Sequence, residues 1–257
     1  ALAGVLAASM LFTGCSKKAE SKVPDKLIVG TNAEFPPFEY MNDKKQPEGF
    51  DIAMIKEIGK RMGKKVEIKN MEFKSLIGAM ESDSINAIIA GMTKTEKREK
   101  AVDFSDSYYT TNQAIILKKD SKITKLAQLD GKKIGVQEGT TGDLISSGDK
   151  FGDGKKAKVL VKGAKVKRFK KGVDAVMDLK NGSVDAVVID ELTANEFVKK
   201  NAKKLKIVID SAGSEYYCIA LTKGNTAYKE EVNKQIKAIK EDGTYDKLKA
   251  KYIDSKN

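Results

Sequence analysis

The sequence predicts an α/β fold made of two similar lobes, and three observations predict it. From Lys26 onward, short β-rich runs alternate with helical patterns, as in βαβ units built on a mainly parallel sheet. Two stretches, "AMESDSINAIIAG" and "DLKNGSVDAVVID", share one plan of helix end, tight turn and buried strand, about 100 residues apart. A chain of 257 residues is also long enough for one large domain or two smaller ones.

Residues 1–12, "ALAGVLAASMLF", form an uncharged apolar run too short to cross a bilayer as a helix. Thr13 and Gly14 precede Cys15, and the polar "SKKAESKVPDK" follows, which is the layout of a secretory leader. This leader resembles a bacterial lipoprotein signal in which the cysteine after the cut carries the lipid. Phe12 stands where the usual motif has Leu. The expectation is a truncated signal over 1–14, then a lipidated Cys15 and flexible tether over 15–25, with a membrane anchor as the consequence. Cys218, far from Cys15 in sequence, reads as a lone core thiol.

Beyond the leader, "KLIVGT", "KVEIKN", "INAIIAGM", "NQAIILKK", "KKIGVQ", "AKVKRF", "VDAVVID", "LKIVID" and "YYCIALT" read as strands. Helical patterns cover 50–62, 73–82, 96–100, 140–148, 172–181, 191–202, 226–241 and 245–252. In the repeat, Ala87 aligns with Ala186, and Gly91 aligns with Asp190. Ligands of open α/β sheets bind at the carboxyl ends of strands, so both copies end where a ligand would sit.

With no histidine in the chain, mechanisms needing an imidazole are excluded. The formal charge is +12, and residues 113–212 hold 22 basic against 13 acidic residues. Segment 154–172 carries nine basic residues and no acid, but its lysines alternate with apolar residues and only Phe169 is aromatic. That is a solvated strand face rather than a nucleic-acid surface. No metal site or cofactor motif is present: "DKFGDG" lacks the acid that a calcium loop needs at its twelfth position.

Three segments carry candidate chemistry. In "AGMTKTEKREKAVDFSDSYYT" a strand ends at Gly91, followed by Thr93, Thr95 and Arg98. Thr95 suits a helix cap, and the planar guanidinium of Arg98 suits bidentate grip of a carboxylate, although a lone helical Arg is usually a surface residue. In "KKIGVQEGTTGDL" a strand ends at Gln137, and Gly139, Thr140 and Thr141 open a helix. Its free N–H groups attract anions, and an ordinary capped helix reads as well. Asp190 closes "VDAVVI" and either caps the next helix or holds an ammonium. A cation-binding acid and an anion-binding arginine on facing repeats describe a site for a zwitterion, because both buried charges need partners.

Those segments, with "TNAEFPPFEY", "GFDIAMIKEIGKRMG" and "EDGTYDKLKAKYI", resemble the periplasmic or lipid-anchored amino-acid-binding proteins of ABC transporters, extracellular solute-binding protein family 3, over about residues 26–253. The terminal "KYI" departs from a more usual Trp-containing ending. The resemblance implies the two-lobed type II periplasmic-binding-protein fold. Lobe 1 would be 26–112 plus 213–257 and lobe 2 would be 113–212, hinged near Tyr109–Gln113 and Gly213–Tyr217. It implies that Arg98 takes the ligand α-carboxylate with Thr93, Thr140 and Thr141 beside it. Gly91 and Asp190 would take the α-ammonium, Phe35 and Phe73 would wall the side chain, and Asn32 and Gln137 would lie where specificity is set. Pro36 and Pro37 stiffen the loop that presents Phe35, while Phe38 and Tyr40 pack inward.

The resemblance implies a free L-amino acid as ligand, a permease with its ATPase as partner, no cofactor, no nucleic acid and a monomer. Asn32 and Gln137 point to a polar ligand. Glu34 is the candidate specificity carboxylate, equally able to face water, and basic amino acids are favoured over glutamine. Two rivals share the scaffold: a cyclohexadienyl or arogenate dehydratase using Asp190 and Glu191, and an amino-acid sensor lipoprotein.

Overall fold

The computed structural model describes residues 21–152 and 157–254. Cys15 and the expected leader lie outside these residues. Strand β1 (Lys26–Thr31) follows the predicted boundaries and buries Leu27 and Val29. The proline-containing stretch then folds into a small antiparallel sheet of β2 (Glu34–Phe35), β3 (Glu39–Met41) and β4 (Pro47–Glu48). Phe38 is fully buried there, 5.0 Å from each of the Tyr109 and Tyr217 rings, and Tyr40 is half-buried.

Helix α1 (Phe50–Arg61) buries Phe50, Met54, Ile55 and Ile58, and β5 (Lys65–Asn70) returns parallel to β1. A 3-10 turn at residues 73–75 leads into α2 (Leu76–Glu81), then β6 (Ala87–Ile88), α3 (Glu96–Glu99) and β7 (Val102–Lys118). The second unit runs through β8 (Lys133–Gln137), α4 (Thr141–Ser146), β9 (Lys150–Phe151), β10 (Lys158–Val159) and β11 (Lys165–Phe169). It continues with α5 (Gly172–Asn181), β12 (Ala186–Asp190) and α6 (Glu191–Lys199). Strand β13 (Leu205–Thr222), α7 (Thr226–Glu241) and α8 (Thr244–Tyr252) close the described chain.

Eight strands form one mixed sheet in the order β11-β8-β12-β7-β13-β6-β1-β5. Its two halves, β5-β1-β6 and β12-β8-β11, are each parallel inside. Each joins the central β7–β13 pair by one antiparallel contact, β6 on β13 and β12 on β7. The two strands of the internal repeat therefore occupy equivalent places in a two-lobed molecule. Two strands expected to be separate, "LKIVID" and "YYCIALT", are one. The polar residues 211–214 between them are accommodated as a register shift between Asp210 and Glu215, not as a turn. Strand β6 covers only Ala87–Ile88 of the expected "INAIIAGM", and the residues beyond it leave the sheet to line a cavity.

Basic segment 164–169 is the edge strand β11, with Lys165, Lys167 and Arg168 exposed, as a solvated strand face requires. Gly49 precedes α1 at φ 129°, and a Cβ there would stand 2.2 Å from the Phe38 carbonyl oxygen. Only glycine adopts that backbone without strain. Gly49→Ala is expected to lower unfolding free energy by at least ~2 kcal/mol, read as a shift of the urea midpoint. A midpoint within error of the parent would contradict this close approach.

Candidate functional site

Asn32, Phe35, Phe73, Ala90, Gly91, Arg98, Gln137, Thr140, Thr141 and Asp190 line one narrow cavity. Apart from Ala90, all are residues singled out in the sequence. They lie at the ends of β1, β5, β6, β8 and β12 or on the segments that follow, at the carboxyl ends of parallel strands from both halves of the sheet.

Arg98 is 6% exposed. Thr95 caps α3 as expected, accepting from the Arg98 N–H at 3.2 Å, which fixes where the side chain leaves the helix. The guanidinium donates to the Thr93 carbonyl at 2.6 Å and to the Gly139 carbonyl at 3.0 Å, and lies 5.3 Å from the centroid of the Phe73 ring. Burial lowers its pKa to about 10, against the opposing pull of Glu215 and Asp190, so it stays charged at neutral pH.

Asp190, 3% exposed, stands at the N-cap position of α6, but its side chain makes no capping bond. It accepts instead from Gln113 Nε2 at 2.8 Å and from the Tyr217 hydroxyl. The capping alternative raised by the sequence is therefore not the one adopted. Burial pushes this carboxyl above its usual range, and its hydrogen bonds and Arg98 pull the other way. Glu191, its neighbour, accepts from Asn112 Nδ2 at 3.0 Å outside the cavity lining, so the two acids do not form a pair facing one space.

Gln137 Nε2 donates to Asn32 Oδ1 at 2.7 Å, and Asn32 Nδ2 donates to the Met71 carbonyl at 2.8 Å. Gln137 Oε1 is buried without a hydrogen-bond partner among the described residues, leaving an acceptor at the cavity. Thr93 is not in the lining: its carbonyl serves Arg98 and its hydroxyl donates to Glu215. Glu34 does not line the cavity either. It forms an ion pair with Lys171 at 2.7 Å. Two further pairs, Lys170–Glu72 at 2.7 Å and Lys74–Glu138 at 2.8 Å, likewise join segments after β1 and β5 to the ends of β8 and β11.

Sequence reading missed three buried acids. Glu215 on β13 is 1% exposed and accepts from Thr93, Thr141 and Gln113. Its pKa is raised by burial first and by Asp190 second. Glu39 and Asp51 are both fully buried and close enough for each to act on the other's titration, and neither Glu39 carboxyl oxygen has a hydrogen-bond partner among the described residues. Asp51 accepts from the Gly91 N–H and the Tyr108 hydroxyl, each at 2.7 Å, and so holds the Gly91 turn at φ 52°. The available signal was an acid beside aromatic residues in "FEY", "GFD" and "SEYY", although nothing in one chain's letters gives their burial.

The family model described as bacterial extracellular solute-binding proteins, family 3, matches residues 27–255. The chain belongs to this family. Among relatives of this solute-binding protein, the arginine-binding extracellular protein ArtP of Bacillus subtilis (strain 168) is 33% identical over 98% of this chain and 95% of its own length. A probable histidine-binding protein of Neisseria gonorrhoeae is 32% identical over 93% of this chain and 88% of its own. The solved structure of an ancestral arginine-binding protein bound to arginine superposes with TM-score 0.79 at 41% identity, covering 90% of this chain and all of that one.

The Glu39–Asp51 pair makes a stability prediction for this solute-binding protein. Burial raises both pKa values, that of Asp51 to about 6. Between the ordinary and raised values the folded state holds more protons than the unfolded one. The pair's contribution is therefore complete below the ordinary carboxyl values and is lost as pH rises through the raised ones. Thermal unfolding from pH 5 to 8 is expected to show a weaker pH dependence in Glu39→Gln than in the parent. Parallel curves would count against the raised pKa of Glu39.

Proposed function

We propose that this chain captures a free L-amino acid with a cationic side chain, of the arginine type first, and delivers it to a membrane permease with its ATPase. One observation carries the reading: buried Arg98 and buried Asp190 come from opposite halves of the sheet to line the same small cavity. A zwitterion answers both charges at once, the carboxylate on Arg98 and the ammonium on Asp190 with the Gly91 carbonyl. Thr140 and Thr141 open α4 beside the carboxylate position, where first-turn N–H groups lack intrahelical partners.

The side-chain end favours a donor. Phe35 and Phe73 supply aromatic walls, and Gln137 Oε1 offers an unused acceptor beside Asn32. The three relatives named above point the same way, being described as binding arginine or histidine. Glu34 contributes at the rim through Lys171 rather than as a direct partner of the ligand.

Lobe 1 comprises 26–112 with 213–257, and lobe 2 comprises 113–212. The lobes bend at Tyr109–Gln113 and Gly213–Tyr217, where the pairing of β7 with β13 is out of register. The protein acts by binding rather than catalysis. It works as a monomer outside the cell membrane, held by a lipid on Cys15.

Calorimetric titration with all twenty amino acids tests the ligand class: arginine, lysine or histidine should bind most tightly and glutamate should not bind. Tight binding confined to aliphatic amino acids would remove the reading. Arg98→Ala should weaken arginine binding by about 3–5 kcal/mol, because it strands the ligand carboxylate in a buried site. Affinity should also fall as pH is lowered from 7 to 5. Asp190 has a raised pKa in the free protein and becomes protonated there, losing its charge toward the ligand ammonium. An affinity independent of pH over that interval, measured by the same titration, would exclude Asp190 as the ammonium partner.

A further inference from the structure

Glu215 lies directly after the register shift in β13, opposite Thr111 of β7, and only 1% of its surface is exposed. A carboxylate so placed needs several donors to offset its lost hydration. Its donors come from three separate segments. Thr93 approaches from the chain after β6, Thr141 from the start of α4, and Gln113 from β7. The Thr141 hydroxyl lies 2.7 Å from one carboxylate oxygen and 2.8 Å from the other. We propose that Glu215 is a latch between the lobes and a positioning residue for the cavity.

The reasoning is one of satisfaction. Thr93 belongs to the half of the sheet built on β1, and Thr141 to the half built on β8. Opening the cleft moves these segments apart, so Glu215 keeps one threonine at most. The carboxyl is then left partly unpaired or must meet water. Closure restores all the donors together, so the closed form is favoured by an interaction that involves no ligand atom. Through Gln113, whose amide nitrogen donates to both Glu215 and Asp190, the same closure orients the carboxyl that faces the cavity. Glu215 does not itself line the cavity, so it acts on ligand affinity through the population of the closed form.

The proposal rests on the binding reading only for its second readout. Small-angle scattering of the full chain without ligand, for the parent, Glu215→Ala and Thr141→Val, gives the first. Both variants are expected to have a larger radius of gyration than the parent and to return to the parent's compact value in saturating arginine. Arginine affinity, by titration, is expected to fall about 10- to 100-fold in Glu215→Ala, the range for leaving buried hydrogen-bond donors without their partner. Thr141→Val keeps the carboxylate and removes one donor, so it carries the scattering test should Glu215→Ala fail to fold. A ligand-free parent that is already open, or a Thr141→Val profile equal to a compact parent's, overturns the latch. If the parent binds no amino acid, the functional reading fails, while the ligand-free scattering comparison still decides the latch.

Discussion

The antiparallel pairing of β7 with β13 runs from Val102–Thr222 at one end to Lys118–Leu205 at the other, and the halves of the sheet reach each other through it. Because β6 and β12 join opposite strands of this ribbon, their carboxyl ends approach from two sides. The segments beginning at Gly91 and Gln137 are thereby brought face to face. A ribbon in perfect register would resist bending. The residues between Asp210 and Glu215 interrupt it beside the cavity, so the local loss of pairing falls at the proposed hinge Gly213–Tyr217.

Charge sets the second constraint. An arginine as buried as Arg98 is tolerable because two carbonyl oxygens and an aromatic face surround it, with carboxyl groups close enough to oppose the depression of its pKa. The carboxyl groups are tolerable for a different reason. Asp190 accepts two hydrogen bonds, Asp51 accepts from the Gly91 N–H and the Tyr108 hydroxyl, and burial, then Asp51, raises the pKa of Glu39 toward its neutral form. The outer pairs, Glu34–Lys171, Glu72–Lys170 and Lys74–Glu138, are partly exposed, and each is worth about 0–1 kcal/mol. The buried groups, not the rim, therefore set the character of the site.

Much of this was legible from the letters, for reasons that differ by element. Helix α7 was readable to its ends because Asn225 caps it and Gly243 follows it, and α5 ends at Gly182 in a left-handed turn. Arg98, Thr141 and Asp190 were legible because each follows a strand end, where chemistry collects. Continuity of β13 was not, since "SAGS" has the composition of a turn and only the partner strand shows it to be a bulge. The burial of Glu215 and Glu39 was not legible, because it depends on contacts distant in sequence. Glu34 could have been read better: it alternates with Phe35 on β2, and neighbouring strand residues point to opposite faces.

The open edges of the sheet have a bearing on how the molecule behaves among its own copies. At one edge, β11 exposes Lys165, Lys167 and Arg168; at the other, β5 carries Lys65, Glu67 and Lys69 on a partly exposed strand. A second chain adding a strand to β11 would have to set its own lysines against these and strip water from them. The same cationic fringe that gives the sequence its basic balance thus acts as a barrier to edge-to-edge growth. Two copies of the chain that meet at high concentration are in this way kept from joining their sheets edge to edge.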